Sequence, residues 1–510
     1  MRKQTYPRAG GASFWGFCVG AALGAGLLGA ATPAAGQAIP FGGRTAAMGG
    51  TGIAHGDDSA MPVLNPAGVA LVSSTTLSLS ASLYAFHHVD VPHFNADADT
   101  LSNGFQSIEV SQQGVASNTV ETLPSSLAYM LHLSPGNVFA ASVTIPRSTT
   151  RRFVQNLDLA SKDPTGQTGF VVRDQLTFVE NYGQFVLGLS YAHGFGDRLR
   201  LGATLGTVYT SSLVTTQADR RQFPANASEF DHIVDNLTRD SSSLDLTGIF
   251  GIQYDLTDRF SVGGVVHSPA LHVKGRWEFN QDNDRVETAG TSSASKVREF
   301  GDSIDAPPMK LGAGAHYRHG DCWAVALDVT ASLAIKNDRR IKATRTESSV
   351  TAGSNPTAST TSIDRERQRV NRVNASVGGE LRVGDEQWIR AGLFTDLSLD
   401  PAVGDNTDFA KQLDRAEVLT FPFNRYGGTV GLGTITGPVD STVGLAVAYG
   451  SGDTVRLDPL RRRAMMGDVE LQRTSLEKTS ARLFDVMFFV TGTVDFKKAA
   501  GGVGGKLGGS

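Results

Sequence analysis

Cysteine is almost absent from this chain of 510 residues, which contains only Cys18 and Cys322. Once a predicted export signal is removed, the one cysteine left excludes an intrachain disulfide and a zinc site built on cysteine. Repeated apolar runs of roughly 20 residues, which a helical membrane protein needs, are missing as well. Mean hydropathy is only −0.12. Any membrane-facing surface must therefore be built from alternating residues, as in a β-barrel.

A basic excess is missing too, because 46 Lys and Arg face 50 Asp and Glu. Nucleic-acid binding usually requires a basic stripe, so no nucleic-acid partner is predicted. At the N-terminus, Arg2, Lys3 and Arg8 precede an uncharged Gly/Ala-rich run with small residues around Gly36. This pattern predicts a secretory signal peptide over residues 1–36. The alternative, an uncleaved anchor, is disfavoured because the run is weakly apolar for a spanning helix.

Glycine is abundant in the next segment, residues 37–72, which has seven glycines and two prolines between Phe41 and Leu71. Glycine loses much backbone entropy in regular structure and proline lacks the N–H donor, so the segment predicts a compact hatch of turns. Within it stands Asn65-Pro66-Ala67-Gly68. Asn65 is predicted to cap a short turn over residues 66–72, and Pro66 suits its first position.

Four short motifs follow one another in this hatch: Arg44, Met48-Gly49-Gly50, Asp57-Asp58-Ser59 and Asn65-Pro66-Ala67-Gly68. Their order and spacing resemble those of the outer-membrane long-chain fatty-acid transporters, the FadL/TodX group. The resemblance implies a hatch lodged in a fourteen-stranded barrel through which hydrophobic compounds pass. It also implies a kink in the third strand that opens the wall sideways, for which Pro146 is the available signal. The hatch motifs are similar to those of barrel subunits of the type IX secretion apparatus as well.

Period-two alternation predicts the barrel strands themselves. The fourteen predicted segments are 75–86, 125–133, 137–147, 184–195, 198–210, 243–256, 259–278, 308–318, 321–335, 368–383, 387–398, 424–434, 440–451 and 480–496. In the last segment, Phe484, Val486 and Phe488 share one face while Asp485 and Thr491 share the other. A soluble β-sandwich or β-helix would also alternate.

The connections between these segments favour the barrel over the soluble alternatives. Six short turns alternate with seven long polar connections, as an up-and-down barrel with both termini in the periplasm requires. The predicted architecture is therefore an all-β transmembrane antiparallel barrel of about 14 strands over residues 73–496. Residues 497–510 form a Gly/Lys-rich tail, either native or a remnant of cloning, after a final strand that ends at Phe496.

Two groups of residues are predicted to form the functional site. In the hatch, Arg44 is predicted to pair with Asp57 or Asp58, unless all three are solvated charges. Asn65 either ties the hatch to the wall or caps its own turn. On the lumen face, the apolar side chains predicted to line a substrate path are Ile249, Leu393, Met487 and Phe489. The register of 387–398 stays open, because Ile389 and Leu393 compete with Trp388 and Phe394 for the lipid face.

No cofactor, metal site or catalytic site is predicted. Asn95, Asp97 and Asp99 begin like a calcium loop, but the turn glycine and the bidentate glutamate are missing. Three histidines nearby, His87, His88 and His93, lie in a predicted long loop that constrains them little. Ser190 and His193 are close in sequence, yet period two places them on opposite faces. A lipid-modifying enzyme is therefore the weakest hypothesis.

The sequence thus predicts a multi-pass channel in the outer membrane of a Gram-negative bacterium, in contact with outer-membrane lipid. Its predicted cargo is a hydrophobic small molecule, with long-chain fatty acids first, taken up passively when the hatch moves. The alternative is a structural barrel that docks a secretion or surface-assembly partner, whose identity the sequence leaves open.

Overall fold

The computed structural model describes residues 41–93, 107–110, 114–162, 168–224, 231–286, 292–335, 338–366, 369–400, 422–455 and 478–499. All of them belong to one compact unit, Pro33–Ser510. Three short helices precede the strands: α1 (Arg44–Ala47), α2 (Met61–Leu64) and a 3₁₀ helix (Pro66–Leu71). Within the described ranges, no helix combines the length and apolar character needed to cross a membrane.

Antiparallel strands make up most of the described chain. They are β1 (Thr76–Val91), β2 (Ser107–Val110), β3 (Val115–Ser134), β4 (Asn137–Lys162), β5 (Thr168–Phe195), β6 (Leu199–Pro224), β7 (Asp231–Asp255), β8 (Phe260–His267), β9 (Leu271–Val286), β10 (Ser292–Asp305), β11 (Met309–His319), β12 (Trp323–Leu333), β13 (Arg339–Thr351), β14 (Thr357–Glu366), β15 (Arg372–Arg382), β16 (Gln387–Asp396), β17 (Asn424–Thr436), β18 (Val439–Val455) and β19 (Lys478–Asp495).

Fourteen of these strands close into a barrel, which confirms the predicted fold class. The ring runs β1, β3, β4, β5, β6, β7, β8, β11, β12, β15, β16, β17, β18 and β19, and β19 pairs back with β1. Tight turns such as Pro135-Gly136 join the strands at one end of the ring. We call this the turn end and the opposite end the loop end.

Strands β9, β10, β13 and β14 form an extension at the loop end. The extension joins the wall through β9, which pairs with the loop-end part of β7, whereas β8 pairs with the turn-end part. The single strand predicted over 259–278 is therefore wrong, since it is divided into β8 and β9. The reason is Pro269, which has no N–H to donate to a ladder.

The alternation of inward and outward side chains agrees with the prediction along most of the wall. In β5, Phe185, Leu187 and Leu189 are 40%, 57% and 55% exposed, whereas Gln184 and Ser190 are buried. In β19, Phe484 and Phe488 face outward while Asp485, Met487 and Phe489 are buried. The outer surface of the ring is therefore an apolar belt, as a lipid-facing barrel requires.

The predicted lumen position of Leu393 in β16 is wrong. Leu393 and Ile389 are 38% and 40% exposed and belong to the outer belt. The adjacent Gly392 faces inward against the backbone of Met48 and Gly49. Because successive side chains alternate, contact through Gly392 forces Leu393 outward.

Much of the predicted long polar connections is strand. β4 extends to Lys162, β5 already begins at Thr168, and β6 extends to Pro224. These parts of the strands lie in the regions 148–183 and 211–242, which were predicted as loops. Beyond a membrane, a strand no longer needs an apolar outer face, so the alternation that identifies a lipid-facing segment is lost while the ladder continues.

Candidate functional site

Residues 41–72, which we call the plug segment, lie across the lumen of the barrel. Helix α1 contacts β16, β17 and β18, whereas the 3₁₀ helix contacts β4, β5, β6 and β7 on another side of the ring. Most side chains of the segment are buried, including Met48, Ile53, Met61 and Val69 at 0% exposure. Residues 37–40 of the predicted hatch lie outside the described residues.

Asn65 both caps a turn and contacts the wall. Its Oδ1 accepts a hydrogen bond from Ala67 N (3.1 Å), at the start of the 3₁₀ helix that Pro66, Ala67 and Gly68 begin. Its Nδ2 donates to Ile53 O (2.6 Å) within the plug segment and to Ile252 O (3.2 Å) in β7. The side chain is fully buried. The two roles that the sequence left as alternatives are therefore combined in one residue.

Inward-facing glycines let the plug backbone approach the wall closely. A Cβ at Gly251 would lie 1.8 Å from Asn65 Oδ1, and a Cβ at Gly392 would lie 2.3 Å from Gly49 N. Neither site has room for a side chain. A buried acid completes this contact: Asp328 Oδ2 in β12 accepts hydrogen bonds from Gly52 N (2.7 Å) and Ile53 N (3.0 Å).

Arg44 makes its main contact with the wall. Its Nε donates to Glu380 Oε2 of β15 at 3.0 Å, and Arg390 Nε of β16 reaches the same oxygen at 3.2 Å. Its Nη1 also lies 3.8 Å from Asp57 Oδ1. Asp58 instead accepts hydrogen bonds from Thr45 N (2.9 Å) and Ala60 N (3.0 Å). Of the two predicted carboxylate partners, the structure therefore brings Asp57 to Arg44 and uses Asp58 to bind backbone amides.

A polar pocket of about 300 Å³ lies against the plug segment toward the turn end. Arg44, Asp57 and Glu380 line it, together with the stacked rings of His55 and His316, whose centroids are 4.3 Å apart. Among the residues that the structure describes, none is a hydrogen-bond partner of the buried His55 Nδ1. Burial, with a smaller contribution from the Arg44 charge, holds the pKa of His55 well below its usual value. His55 is therefore neutral at pH 7.

On the other side of the plug segment lies a cavity of about 280 Å³, which we call the lumen cavity. Apolar side chains of several wall strands and of the plug segment line much of it, namely Val63, Leu64, Val186, Val208, Ile249, Val265 and Phe394. Ile249 therefore lines the lumen cavity. Met487 and Phe489 are buried elsewhere, in a cluster with Ala46 and Ala47 of helix α1. They contact the plug segment rather than the cavity.

Four charged side chains line the lumen cavity. Asp328 of β12 accepts hydrogen bonds from the plug segment and Asp396 of β16 pairs with Arg425, whereas the other two are the cations Arg147 of β4 and Lys310 of β11. In the described part of the chain, neither has a carboxylate within ion-pair distance. Desolvated cations are costly unless an anion is near. The cavity is therefore suited to a ligand with an apolar body and one negative group.

The wall ladder is interrupted beside Pro146, where the resemblance implied a kink. β3 and β4 pair only as far as Ser126–Thr144, and β4 bulges against β5 between Thr144 and Arg147. Farther on, side chains bridge the two strands, as in the hydrogen bonds from Ser148 Oγ to Glu121 Oε2 (3.2 Å) and from Arg152 N to Ser117 Oγ (2.9 Å). Pro146 borders the lumen cavity at this interruption.

The other candidate constellations do not assemble into a site. Ser190 Oγ contacts Thr204 Oγ1 at 2.7 Å, whereas His193 Nδ1 contacts Asn137 Oδ1. His87 pairs with Asp485 and His88 with Asn118. Asn95, Asp97 and Asp99 lie outside the described residues. Across the described ranges, no three His, Cys, Asp or Glu side chains come together as a metal site.

The site also contains residues that the sequence did not predict for it, namely Glu380, Arg390, Lys310 and Phe394. A usable signal existed for the charged ones, because a charge inside a segment that otherwise alternates for lipid has to face the lumen. Asp328 in β12 carries the same signal.

Comparison with solved structures identifies the class of fold. The chain is similar to a FadL homologue of Pseudomonas aeruginosa, with a TM-score of 0.54 and 15% identity over 91% of this chain and 100% of that one. It is also similar to the toluene transporter TodX of P. putida, with a TM-score of 0.52 and 14% identity over 90% of this chain and 99% of that one. No protein-family model and no curated protein match the sequence. The chain therefore has a FadL-like barrel fold.

Proposed function

We propose that this protein is an outer-membrane channel for the passive uptake of hydrophobic compounds. The observation that carries the proposal is the lumen cavity, whose exposed lining is apolar in larger part and which lies inside a barrel with an apolar outer belt. A water-filled porin would instead have a polar lumen. The similarity in fold to a FadL homologue and to a toluene transporter supports the same class of function.

The cargo we favour is a long-chain fatty acid. Its alkyl chain matches the apolar side chains around Ile249 and Val265, and its carboxylate would neutralise Arg147 and Lys310. Hydrogen bonds between a cation and a carboxylate are stronger than those between neutral groups. A neutral hydrocarbon would leave both cations unpaired in the cavity.

The gate we propose is the plug segment, which separates the lumen cavity from the polar pocket at the turn end. Cargo in the cavity reaches that pocket only if the plug segment shifts, because its backbone contacts the wall through Gly251 and Gly392. The turn end would then face the periplasm, as short turns do in outer-membrane barrels.

The test is the uptake of a labelled long-chain fatty acid and of its methyl ester by cells that lack their own transporter. The Lys310→Ala variant should lose fatty-acid affinity by roughly tenfold or more, since a hydrogen bond to a charged group contributes about 1.5–3 kcal/mol. Methyl-ester uptake should stay unchanged. Lys274→Ala is the matched control, because Lys274 is exposed on β9 and lies outside the cavity.

Gating is tested by Asn65→Ala/Pro66→Ala at matched levels in the outer membrane. Saturable uptake that falls in this variant supports movement of the plug segment as the gate. An inserted wild-type barrel that takes up neither fatty acid nor toluene would overturn the channel proposal and favour the docking of a protein partner. Toluene uptake without fatty-acid uptake would overturn only the cargo.

A further inference from the structure

The outer face of the extension carries an open aromatic ring. On β10, Phe300 alternates with the buried Glu299, so its side chain points outward, and it is 68% exposed. Phe300 pairs with Glu278 of β9 on one side and with Thr344 of β13 on the other. Both neighbours are polar, so no apolar side chain opposite Phe300 covers the ring. The ring is therefore a flat apolar surface that is available for contact.

The strand register places Phe300 beyond the apolar belt, toward the loop end. A tilted transmembrane strand needs about 9–11 residues, which β6 reaches between Leu199 and Tyr209. Phe300 lies in the same row of cross-strand pairs as Leu213 of β6, through β9 and β7. Leu213 stands four residues beyond Tyr209, which is about 13 Å along the strand. Phe300 is therefore at the level of the lipid headgroups.

Two exposed cations flank the ring on the same outer face. Arg298 precedes Phe300 by two residues on β10, and Lys342 precedes the opposite residue, Thr344, by two residues on β13. Neighbours of these kinds are about 7–8 Å apart, within reach of long side chains. Arg298 pairs with Thr346, so the two cations are four residues, or about 13 Å, apart along the strands. The ring lies between them.

The carboxylates on the neighbouring positions each have another partner. Their ion pairs are Glu278–Arg276 (2.5 Å), Asp282–Lys296 (2.8 Å), Asp364–Arg340 (2.5 Å) and Asp302–His272 (3.4 Å). Within the described ranges, neither Arg298 nor Lys342 has a carboxylate at ion-pair distance. The outer face of the extension therefore presents two cations that its own acids do not neutralise.

An apolar ring between two cations is complementary to a sugar that carries phosphate groups. Phosphate accepts strong, charge-assisted hydrogen bonds from arginine and lysine, and the ring can pack against the C–H groups of the sugar. We infer that Phe300, Arg298 and Lys342 bind the headgroup of a phosphorylated glycolipid of the lipid A type in the outer leaflet. A disaccharide with a phosphate at each end would cover the ring and reach both cations. The inference rests on the outer-membrane location in the proposed function, and it adds a lipid site outside the channel.

Native mass spectrometry of the purified full-length protein in detergent measures this binding directly. The probes are lipid A with two phosphates and the same lipid with both phosphates removed. The test variants are Arg298→Gln/Lys342→Gln and Phe300→Ala. The matched control is Arg152→Gln/Arg173→Gln, which also removes two exposed cations from the outer face of loop-end strands, here β4 and β5.

Arg298→Gln/Lys342→Gln should bind diphosphorylated lipid A about tenfold more weakly than the wild type, and the control should bind it as the wild type does. Phe300→Ala should weaken the binding of both lipids, because the ring contacts the sugar. The wild type should prefer the diphosphorylated lipid, and added salt should reduce that preference. An unchanged affinity in the double variant, or an equal loss in the control, would overturn the site.

Fatty-acid entry into vesicles that contain the reconstituted protein separates this site from the channel. The wild type and Arg298→Gln/Lys342→Gln should admit the fatty acid at the same rate, because both cations face away from the lumen. No entry with either protein, together with the expected lipid A binding, would overturn the channel function and leave the lipid site intact. Entry with both, without selective lipid A binding, would overturn only the lipid site.

Discussion

The plug segment is held on two sides of the lumen by different chemistry. At Asn65 the contacts are neutral hydrogen bonds of a fully buried side chain. At Arg44 the contact is an ion pair with Glu380, and the Arg44 side chain keeps 21% of its surface exposed. Asp57, the second partner of Arg44, is 51% exposed beside the polar pocket. One attachment is dry and the other is in contact with solvent.

This difference predicts which side of the plug segment would be released first in the proposed gating. A buried neutral hydrogen bond has no replacement partner when it breaks, so opening at Asn65 costs the full desolvation of the groups involved. An ion pair near solvent exchanges its partner for water and salt ions, and contributes little net free energy. We therefore expect the segment to be anchored at Asn65 and released at Arg44.

Two cysteine reporters measure each side separately in a Cys322→Ser background, which removes the exposed native thiol. Ala46→Cys lies on helix α1 next to Arg44, and Ala67→Cys lies next to Asn65; both positions are 0% exposed. A buried thiol reacts with maleimide only when its surroundings open, so its labelling rate reports local opening. We expect the Ala46→Cys thiol to react faster.

The largest expected effect is that of Asn65→Ala. The substitution leaves the buried Ala67 N–H without its acceptor, at a cost of about 1–3 kcal/mol, and removes the contact to Ile252 O. Labelling of Ala67→Cys should therefore rise at least about tenfold. The barrel itself should stay folded, which the shift in gel mobility on heating checks. An unchanged labelling rate would show that Asn65 is not the anchor.

Gly392→Ala should act on the opposite side of the segment. The added methyl group would meet Gly49 N and the Met48 carbonyl carbon, both at 2.3 Å, and overpacking costs about 1–3 kcal/mol. Labelling of Ala46→Cys should increase more than labelling of Ala67→Cys. Gly492→Ala is the control, because its added methyl group has no atom within 4 Å in the described ranges apart from its own chain neighbours. Equal increases at both reporters would contradict independent attachment.

Features that depend only on neighbouring residues could be predicted from the sequence. Lipid contact demands an apolar residue at every second position. Strands such as β5 and β19, and the side chains that face outward from them, could therefore be predicted. The cap by Asn65 could be predicted for the same reason, since it involves only the next two residues. The strands beyond the lipid belt were missed because nothing there enforces apolar alternation.

Contacts between residues far apart in the chain could not be predicted from the sequence. Arg44 and Glu380 are 336 positions apart, and Gly52 and Asp328 are 276 apart, so no local pattern relates them. The face of Leu393 depends on a contact of the same kind, because it is Gly392 against the plug segment that fixes the register of β16. Charges and glycines within the strands were the remaining clue, and they identify the inner face without identifying the partner.

A smaller effect is expected for Arg44→Gln. Because Arg44 keeps 21% of its side chain exposed and the buried Glu380 retains Arg390 as a partner, the loss of this ion pair should cost about 1 kcal/mol, so labelling of Ala46→Cys should rise by a factor of a few. Raising the salt concentration should increase the same rate in the wild-type background and leave Ala67→Cys unaffected. Salt sensitivity at Ala67→Cys instead would reverse the assignment of anchor and release site.

The smallest expected effect is a pH dependence through His55. The pKa of His55 is held below the ordinary value of 6.5, mainly by burial, so the seated plug segment binds a proton less readily than the open one. Its stabilisation is complete above pH 6.5 and declines as pH falls below that value. Burial raises the pKa of Asp58, which acts in the opposite direction. His55→Phe separates the two, because it keeps a ring against His316 without a titrating group.

In that variant, the acid-induced rise in labelling of Ala46→Cys between pH 6.5 and 5 should become smaller, and the part that remains is assigned to His316, the other ring of the stack. A rise of unchanged size in His55→Phe would show that His55 does not carry the pH response. Since His55 and Arg44 both line the polar pocket, the response should be confined to the Arg44 side. An equal acid response at Ala67→Cys would mean that the plug segment detaches from both sides of the barrel wall at once.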